Sequence, residues 1–244
     1  MRGAFVGTDK TLSRARRLKC ADGGQTHSNR LNAQNDLFPV SHRLQRGRRV
    51  TAKSTPFIVG LGGTVRNGSS SEKALARALA KADALGARTE MFGGPFLAGL
   101  PIYNPHEPAA NGDQARLVAA IRAADGVIVA SPGYHGSISG LIKNALDCLE
   151  DLRDDGRPYF DGRAVGCIVA AAGGQAAGST LAALRAIVHA LRGWPTPLGA
   201  ALASPRLFDE SGEFCDPRDA WQVETVAEQV VDFARRQMTA VAPA

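Results

Sequence analysis

Hydrophobic and polar positions fall into two regimes along this chain. Up to about residue 55 they follow neither a period of two nor one of 3.6. From Pro56 onward, short apolar runs alternate with stretches whose apolar residues recur at helical spacing. Residues 57–61, FIVGL, read as a first strand entering a glycine-rich turn. Residues 71 to about 85 then place Leu75, Leu79 and Ala82 on one side, with serines standing where a helix start needs a cap. Residues 88–92 predict a second strand, and a long loop, GGPFLAGLPIYNPHEPAAN, leads to a helix over 113–124. A third strand, 127–130, is expected to stop at Ser131-Pro132-Gly133, before a helix over about 139–149. The fourth strand, 165–171, ends at Gly173-Gly174 and precedes a helix over 179–191. A fifth, around 198–203, precedes a last amphipathic helix over 217 to about 237. Apolar strands interleaved with helices predict an α/β fold whose parallel sheet is covered on both faces.

Composition adjusts this picture in one place. Among the 244 residues, 44% are hydrophobic and 21% charged, so a sizeable core is available. The net charge of +6 is not spread evenly: residues 1–55 hold twelve Lys and Arg against Asp9, Asp22 and Asp36, leaving 17 basic and 20 acidic residues beyond. The basic character therefore belongs to residues 1–55, expected to be a disordered extension separate from the chemistry. Residues 56–240 form the expected domain, and its near-neutral charge argues against a nucleic-acid partner. No apolar run reaches the ~20 residues of a membrane span. Cys20, Cys148, Cys167 and Cys215 are widely spaced without a C-x-x-C, which suits a reducing cytoplasm, and the apolar surroundings of Cys148 and Cys167 suit buried thiols.

Candidate chemistry gathers in the turn after the first strand, Gly60-Leu61-Gly62-Gly63-Thr64-Val65-Arg66-Asn67-Gly68-Ser69-Ser70-Ser71. A dinucleotide fingerprint fails because the sixth position from Gly60 is Val65, and a P-loop fails because Ser69 stands where its lysine belongs. What remains is a set of hydroxyls, backbone amides and Arg66 at a helix start, groups suited to a phosphate monoester held without metal. The same residues also make an ordinary capped β–α turn.

The segment after the third strand, Ser131-Pro132-Gly133-Tyr134-His135-Gly136-Ser137-Ile138-Ser139-Gly140-Leu141-Ile142-Lys143-Asn144-Ala145-Leu146-Asp147, resembles the P-E-Y-N-x-S-x-P-x-x-L-K-N-A-x-D signature of the NADPH-dependent FMN reductases. Residues 63–71 resemble that family's G-S-x-R-x-x-S-x-N phosphate loop, and the similarity spans about 56–237. The resemblance implies a flavodoxin-like, doubly wound, five-stranded parallel sheet of order 2-1-3-4-5, with helices on both faces and a crevice between strands one and three. It implies FMN as cofactor, NADPH or NADH as hydride donor, and a homodimer or homotetramer. Thr64, Arg66, Ser69 and Ser71, with Ser70 beside them, would hold the FMN phosphate. Pro132, Gly133, Tyr134, His135, Gly136 and Ser137 would follow the ribityl chain and ring, and Gly173 and Gly174 would offer backbone N–H groups to the pyrimidine edge. By its position alone, and not by the resemblance, the loop 96–108 with Tyr103 is expected to wall the open face. Thr64 and Ser71 depart from the pattern but keep hydrogen-bonding side chains, whereas Gly133 for glutamate and His135 for asparagine change the groups around the ring.

Hydride transfer between two cofactors asks the protein for orientation and electrostatics, so no catalytic acid or base and no metal are expected. Two readings stay beside flavin reduction: an FMN-dependent quinone, azo or chromate-type reductase, and a flavodoxin-like electron carrier. Carriers tend to be strongly acidic, unlike residues 56–240. A hydrolase triad of His135, Ser137 and Asp147 lacks its elbow, because Gly136-Ser137-Ile138-Ser139-Gly140 has Ile at the nucleophile position. Lys143 and Asp147 are spaced to pair along a helix.

Overall fold

The computed structural model describes residues 55–107 and 112–240. The expectations for the stretch before residue 55, Cys20 included, lie outside the described residues. Strand β1 (Phe57–Gly62) leads to α1 (Ser70–Ala84), β2 (Arg88–Phe92), α2 (Gly94–Ala98) and α3 (Gly112–Ala123). Then come β3 (Gly126–Tyr134), β4 (Ser137–Ile138) and α4 (Gly140–Asp147), which runs into a 3-10 turn over Cys148–Leu152. The chain ends with β5 (Ala164–Ala171), α5 (Gly174–Ala190), β6 (Trp194–Pro195), β7 (Ala200–Ala203) and α6 (Pro217–Ala240).

The four long strands lie parallel in the order β2-β1-β3-β5, and β6 and β7 both pair with the outer edge of β5. Successive side chains of a strand face opposite ways, and the core divides accordingly. Val59, Leu61, Val127, Val129, Val165, Cys167 and Val169 pack beneath α3, α4 and α5. Ile58, Ile128, Ala130, Ile168 and Ala170 pack beneath α1 and α6. Burial on both faces is why these strands read as continuous apolar runs.

Seven strands form the sheet, two more than the expected five. The fifth is split: β6 pairs with the start of β5 through Ala164↔Trp194, and β7 with its end through Ile168↔Ala200. Pro195 and Pro197 have no N–H to give, and between them the Thr196 hydroxyl turns to the Leu198 carbonyl at 2.7 Å. The other addition is β4, an antiparallel return of β3.

The third strand does not stop at Ser131-Pro132-Gly133. Its pairing with β1 ends at Gly62↔Ala130, while its pairing with β5 continues to Pro132↔Ala170. Pro132 therefore lies where one side of the strand is open, and there a missing donor is tolerated. Helix α5 starts at Gly174, five residues before the expected position, with Gly173 as its N-cap. Gly174 and Gly178 are weak helix formers and hid the start. Within the long loop, Pro95 occupies the first turn of α2, a position proline suits.

One charged residue ties the layers together. The fully buried Arg163 donates to the carbonyls of Ala124 and Arg122, both at 2.8 Å, and of Tyr159 at 3.0 Å. Burial pulls its guanidinium down to about 10, still well above neutrality, so it is charged at physiological pH.

Candidate functional site

β1, β3 and β5 are neighbours, so the loops leaving their carboxyl ends stand side by side. The chain leaves β1 for β2 on one side and reaches β3 on the other, which opens a crevice above that pair.

Left-handed backbone at Gly63 (φ 121°) and Gly68 (φ 68°) lets the first loop wrap back onto the start of α1. Ser69 is the N-cap and accepts the Glu72 N–H at 3.4 Å. The Ser69 and Ser71 hydroxyls, both buried, lie 3.4 Å apart. Contacts this long leave both hydroxyls able to turn toward an anion at the helix N-terminus. The Thr64 hydroxyl is engaged within the loop: it accepts the Arg66 N–H and donates to the Arg66 carbonyl, each at 3.1 Å. Arg66 is exposed beside Val65, and Ser70 is half-buried.

The second loop is the β3–β4 tongue. His135 and Gly136 both have positive φ, 51° and 81°, making the two-residue turn that favours asparagine at the first position and glycine at the second. The Ser131 hydroxyl accepts the Ser139 N–H at 3.1 Å, and Ser139 caps α4 through the Ile142 N–H at 3.3 Å. Tyr134, His135, Gly136 and Ser137 are exposed, and Pro132 is buried. At Gly133, a Cβ would lie 3.0 Å from the Ala171 Cβ and 3.1 Å from Thr180 Oγ1. A glutamate there would press on α5, whose Thr180 donates to the Ser137 carbonyl at 3.3 Å.

The third segment is the start of α5. Gly173 and Gly174 are exposed, and a Cβ at either would meet nothing within 4 Å. A cleft of about 420 Å³ joins them to Gly136, Gln175, Ala176 and Ser179. The first N–H groups of a helix lack intrahelical partners, so these glycines present donors without side chains in the way.

Two residues not singled out for a role in the sequence organise these loops. Glu72 accepts the Gly68 N–H at 2.7 Å and the Gly94 N–H at 3.2 Å. Its signal was available as the Ser69–Glu72 spacing of a capping box. Asn144, quoted only within the longer signature, accepts the Tyr103 N–H at 2.8 Å and donates to the Pro101 carbonyl at 2.9 Å. That pins the loop after α2 and leaves Ile102, not Tyr103, as its exposed large side chain. Tyr103 instead lines a separate cleft with Pro105, Val118, Arg122 and Glu150. Lys143 holds Asp147 at 2.7 and 2.9 Å, as the helical spacing predicts.

Sheet order and the crevice at the switch point define a flavodoxin-like α/β protein. A profile of the NADPH-dependent FMN reductases matches residues 56–206, and the chain belongs to that family. A Staphylococcus aureus protein named as an FMN-dependent NADPH-azoreductase is 41% identical over 75 residues, covering 31% of this chain and 36% of that relative. The match thus spans about a third of each. Among solved structures, an apo NADH:FMN oxidoreductase superposes with a TM-score of 0.57 at 22% identity, covering 75% of this chain and 89% of that one. The NAD(P)H:(acceptor) oxidoreductase FerB from Paracoccus denitrificans gives 0.57 at 23% identity, covering 75% and 99%. A WrbA-like flavodoxin from Agrobacterium tumefaciens gives 0.52 at 18%, covering 75% and 99%. At these identities the likeness speaks for the fold. Among the described residues no helix is long and apolar enough to cross a membrane.

Proposed function

We propose that this protein is an NAD(P)H-dependent FMN reductase, taking hydride from NADPH or NADH onto FMN and passing the electrons to an acceptor. The observation that carries the reading is a phosphate-suited loop after β1 and an open, glycine-lined helix start after β5, on either side of the β3–β4 tongue. The residues fit the cofactor: buried hydroxyls at a helix N-terminus suit a phosphate monoester, and the space above Gly173 and Gly174 suits the edge of a ring. Ser69, Ser70 and Ser71 hold the phosphate, with Arg66 adding a charge-assisted pair and Thr64 shaping the loop tip. Pro132, Gly133, Tyr134, His135, Gly136 and Ser137 bound the ribityl chain and one face of the ring. The N–H groups of Gly173 and Gly174, at the positive end of the α5 dipole, favour negative charge on the pyrimidine edge. Bound FMN supplies the redox chemistry, a ring that accepts hydride and releases electrons; the protein orients it and leaves a face open. We place the enzyme in the cytoplasm on its widely spaced cysteines, and as a homodimer or homotetramer on the family resemblance.

A second acceptor class is favoured by the stretch shared with the azoreductase: azo compounds, with quinones or chromate-type oxyanions as the related cases. The test is an absorbance spectrum of purified protein with added FMN, followed by anaerobic NADPH and NADH. Bleaching of the flavin band at a catalytic rate supports the reductase. Bound flavin that neither nucleotide reduces points to the electron carrier, and no flavin binding overturns the reading.

A further inference from the structure

We infer that Glu72 is a positioning residue for the phosphate subsite: its carboxylate fixes the phosphate loop against the Gly93–Gly94 turn before any ligand arrives. The inference rests on the FMN reading above.

In a capping box the glutamate reaches back to the N-cap N–H, here that of Ser69. Glu72 does something else. One oxygen passes beyond the N-cap to the Gly68 N–H at 2.7 Å, and the other crosses to the Gly94 N–H at 3.2 Å, 22 residues along the chain. Capping α1 does not require the bond to Gly94, which lies beyond the end of β2. The surroundings are shaped for this reach. A Cβ at Gly93 would lie 2.6 Å from Glu72 Oε1, and a Cβ at Gly94 would land on the Thr64 carbonyl. Three backbone segments thus converge on one carboxylate: the loop after β1, the start of α1 and the turn after β2.

Two glycines in left-handed conformations, Gly63 and Gly68, frame the loop, and glycine has the most conformational freedom to lose. A loop that is unordered before binding charges its ordering cost to the ligand. Two charge-assisted bonds to backbone N–H groups meet that cost in advance. Because the Gly68 N–H is already occupied, phosphate recognition falls to the Ser69 and Ser71 hydroxyls, the helix-start amides and Arg66. The effect of Glu72 is therefore specific to the phosphate-bearing end of the ligand.

The test compares Glu72→Ala and Glu72→Gln with the unaltered full chain, titrating FMN and riboflavin by flavin fluorescence. Losing charge-assisted bonds at a half-exposed site is expected to weaken FMN roughly tenfold, with riboflavin affinity unchanged. Glu72→Gln keeps one carbonyl acceptor for Gly68 but turns an amide N–H₂ toward Gly94, so its loss is intermediate. It carries the test if the alanine variant does not fold. Equal losses for both flavins, or no loss for FMN, overturn the inference. Hydrogen exchange on the ligand-free protein checks it independently of FMN: the Gly68 and Gly94 amides should be protected, and both should exchange faster in Glu72→Ala. Rapid exchange at these amides in the unaltered protein overturns the inference even if FMN binds. Failure of the unaltered protein to bind FMN, with both amides protected, instead overturns the FMN reading and with it the subsite.

Discussion

Cys148 and Cys167 show how burial sets the chemistry of single residues. Desolvation first, and neighbouring Asp151 and Asp147 next, push the Cys148 thiol up to about 11; desolvation pushes Cys167 up to about 12. Both remain protonated at neutral pH and are poor nucleophiles, whereas Cys215 is exposed. Brief iodoacetamide treatment of the native protein followed by peptide mapping should label Cys215 and spare the other two. The same shifts have a thermodynamic sign. A raised folded value contributes stability in full below the thiol's ordinary 9.0, and that contribution fades as pH climbs toward 11. Melting temperature should therefore fall across that interval and fall less in Cys148→Ala. The buried character of both residues was legible from their apolar neighbours. Arg163 was not, since nothing in its sequence neighbourhood announces the carbonyls of Arg122 and Ala124 waiting in the fold.

Elements were most legible where apolar periodicity was uninterrupted. β1, β2, β5 and α1 lie within a residue of their expected bounds because burial enforces their pattern. The misses share a cause: glycine and proline read locally as breakers, while tertiary context overrode them. β3 runs through Pro132 because its β1 side is open there, and α5 starts at Gly174 because a helix N-terminus tolerates glycine. The tongue between β3 and β4 was invisible as a hairpin because His135 stands where asparagine would have signalled the turn. The loop after α2 depends on a partner far along the chain, so its shape was not legible either. Asn144 supplies two of its backbone bonds, and Asn144→Ala leaves a donor and an acceptor to find other partners. A stability loss of about 1–3 kcal/mol in urea unfolding is expected, with faster proteolysis between residues 99 and 107.

At the scale of the molecule, alternating strands and helices made a parallel, doubly covered sheet legible, while its strand order came through the family resemblance. The loop residues forming the site were legible by type, but their mutual geometry was not, since it depends on Glu72, Thr180 and Asn144 reaching across elements. The loops proposed to hold FMN stand at the carboxyl ends of the strands, whereas Arg163 joins the end of α3 to the amino end of β5. On that proposal, the two ends separate recognition from stability. Arg163→Met should cost about 3 kcal/mol of folding free energy by orphaning buried carbonyls. Flavin affinity measured well below the melting temperature should be unchanged. A parallel drop in affinity would mean the two ends are coupled.

The contact between Gly94 and the Thr64 carbonyl sets where this protein can vary. Because any side chain at 94 would collide with the back of the loop after β1, that position is closed to substitution. At the loop's tip, Val65 and Asn67 face solvent and are open to it, on either side of Arg66. Diversity introduced at 65 and 67 explores new ligand preferences on an unchanged frame, while diversity at 93–94 mostly destroys the frame. A mutational library for altered substrate range is best spent on the tip.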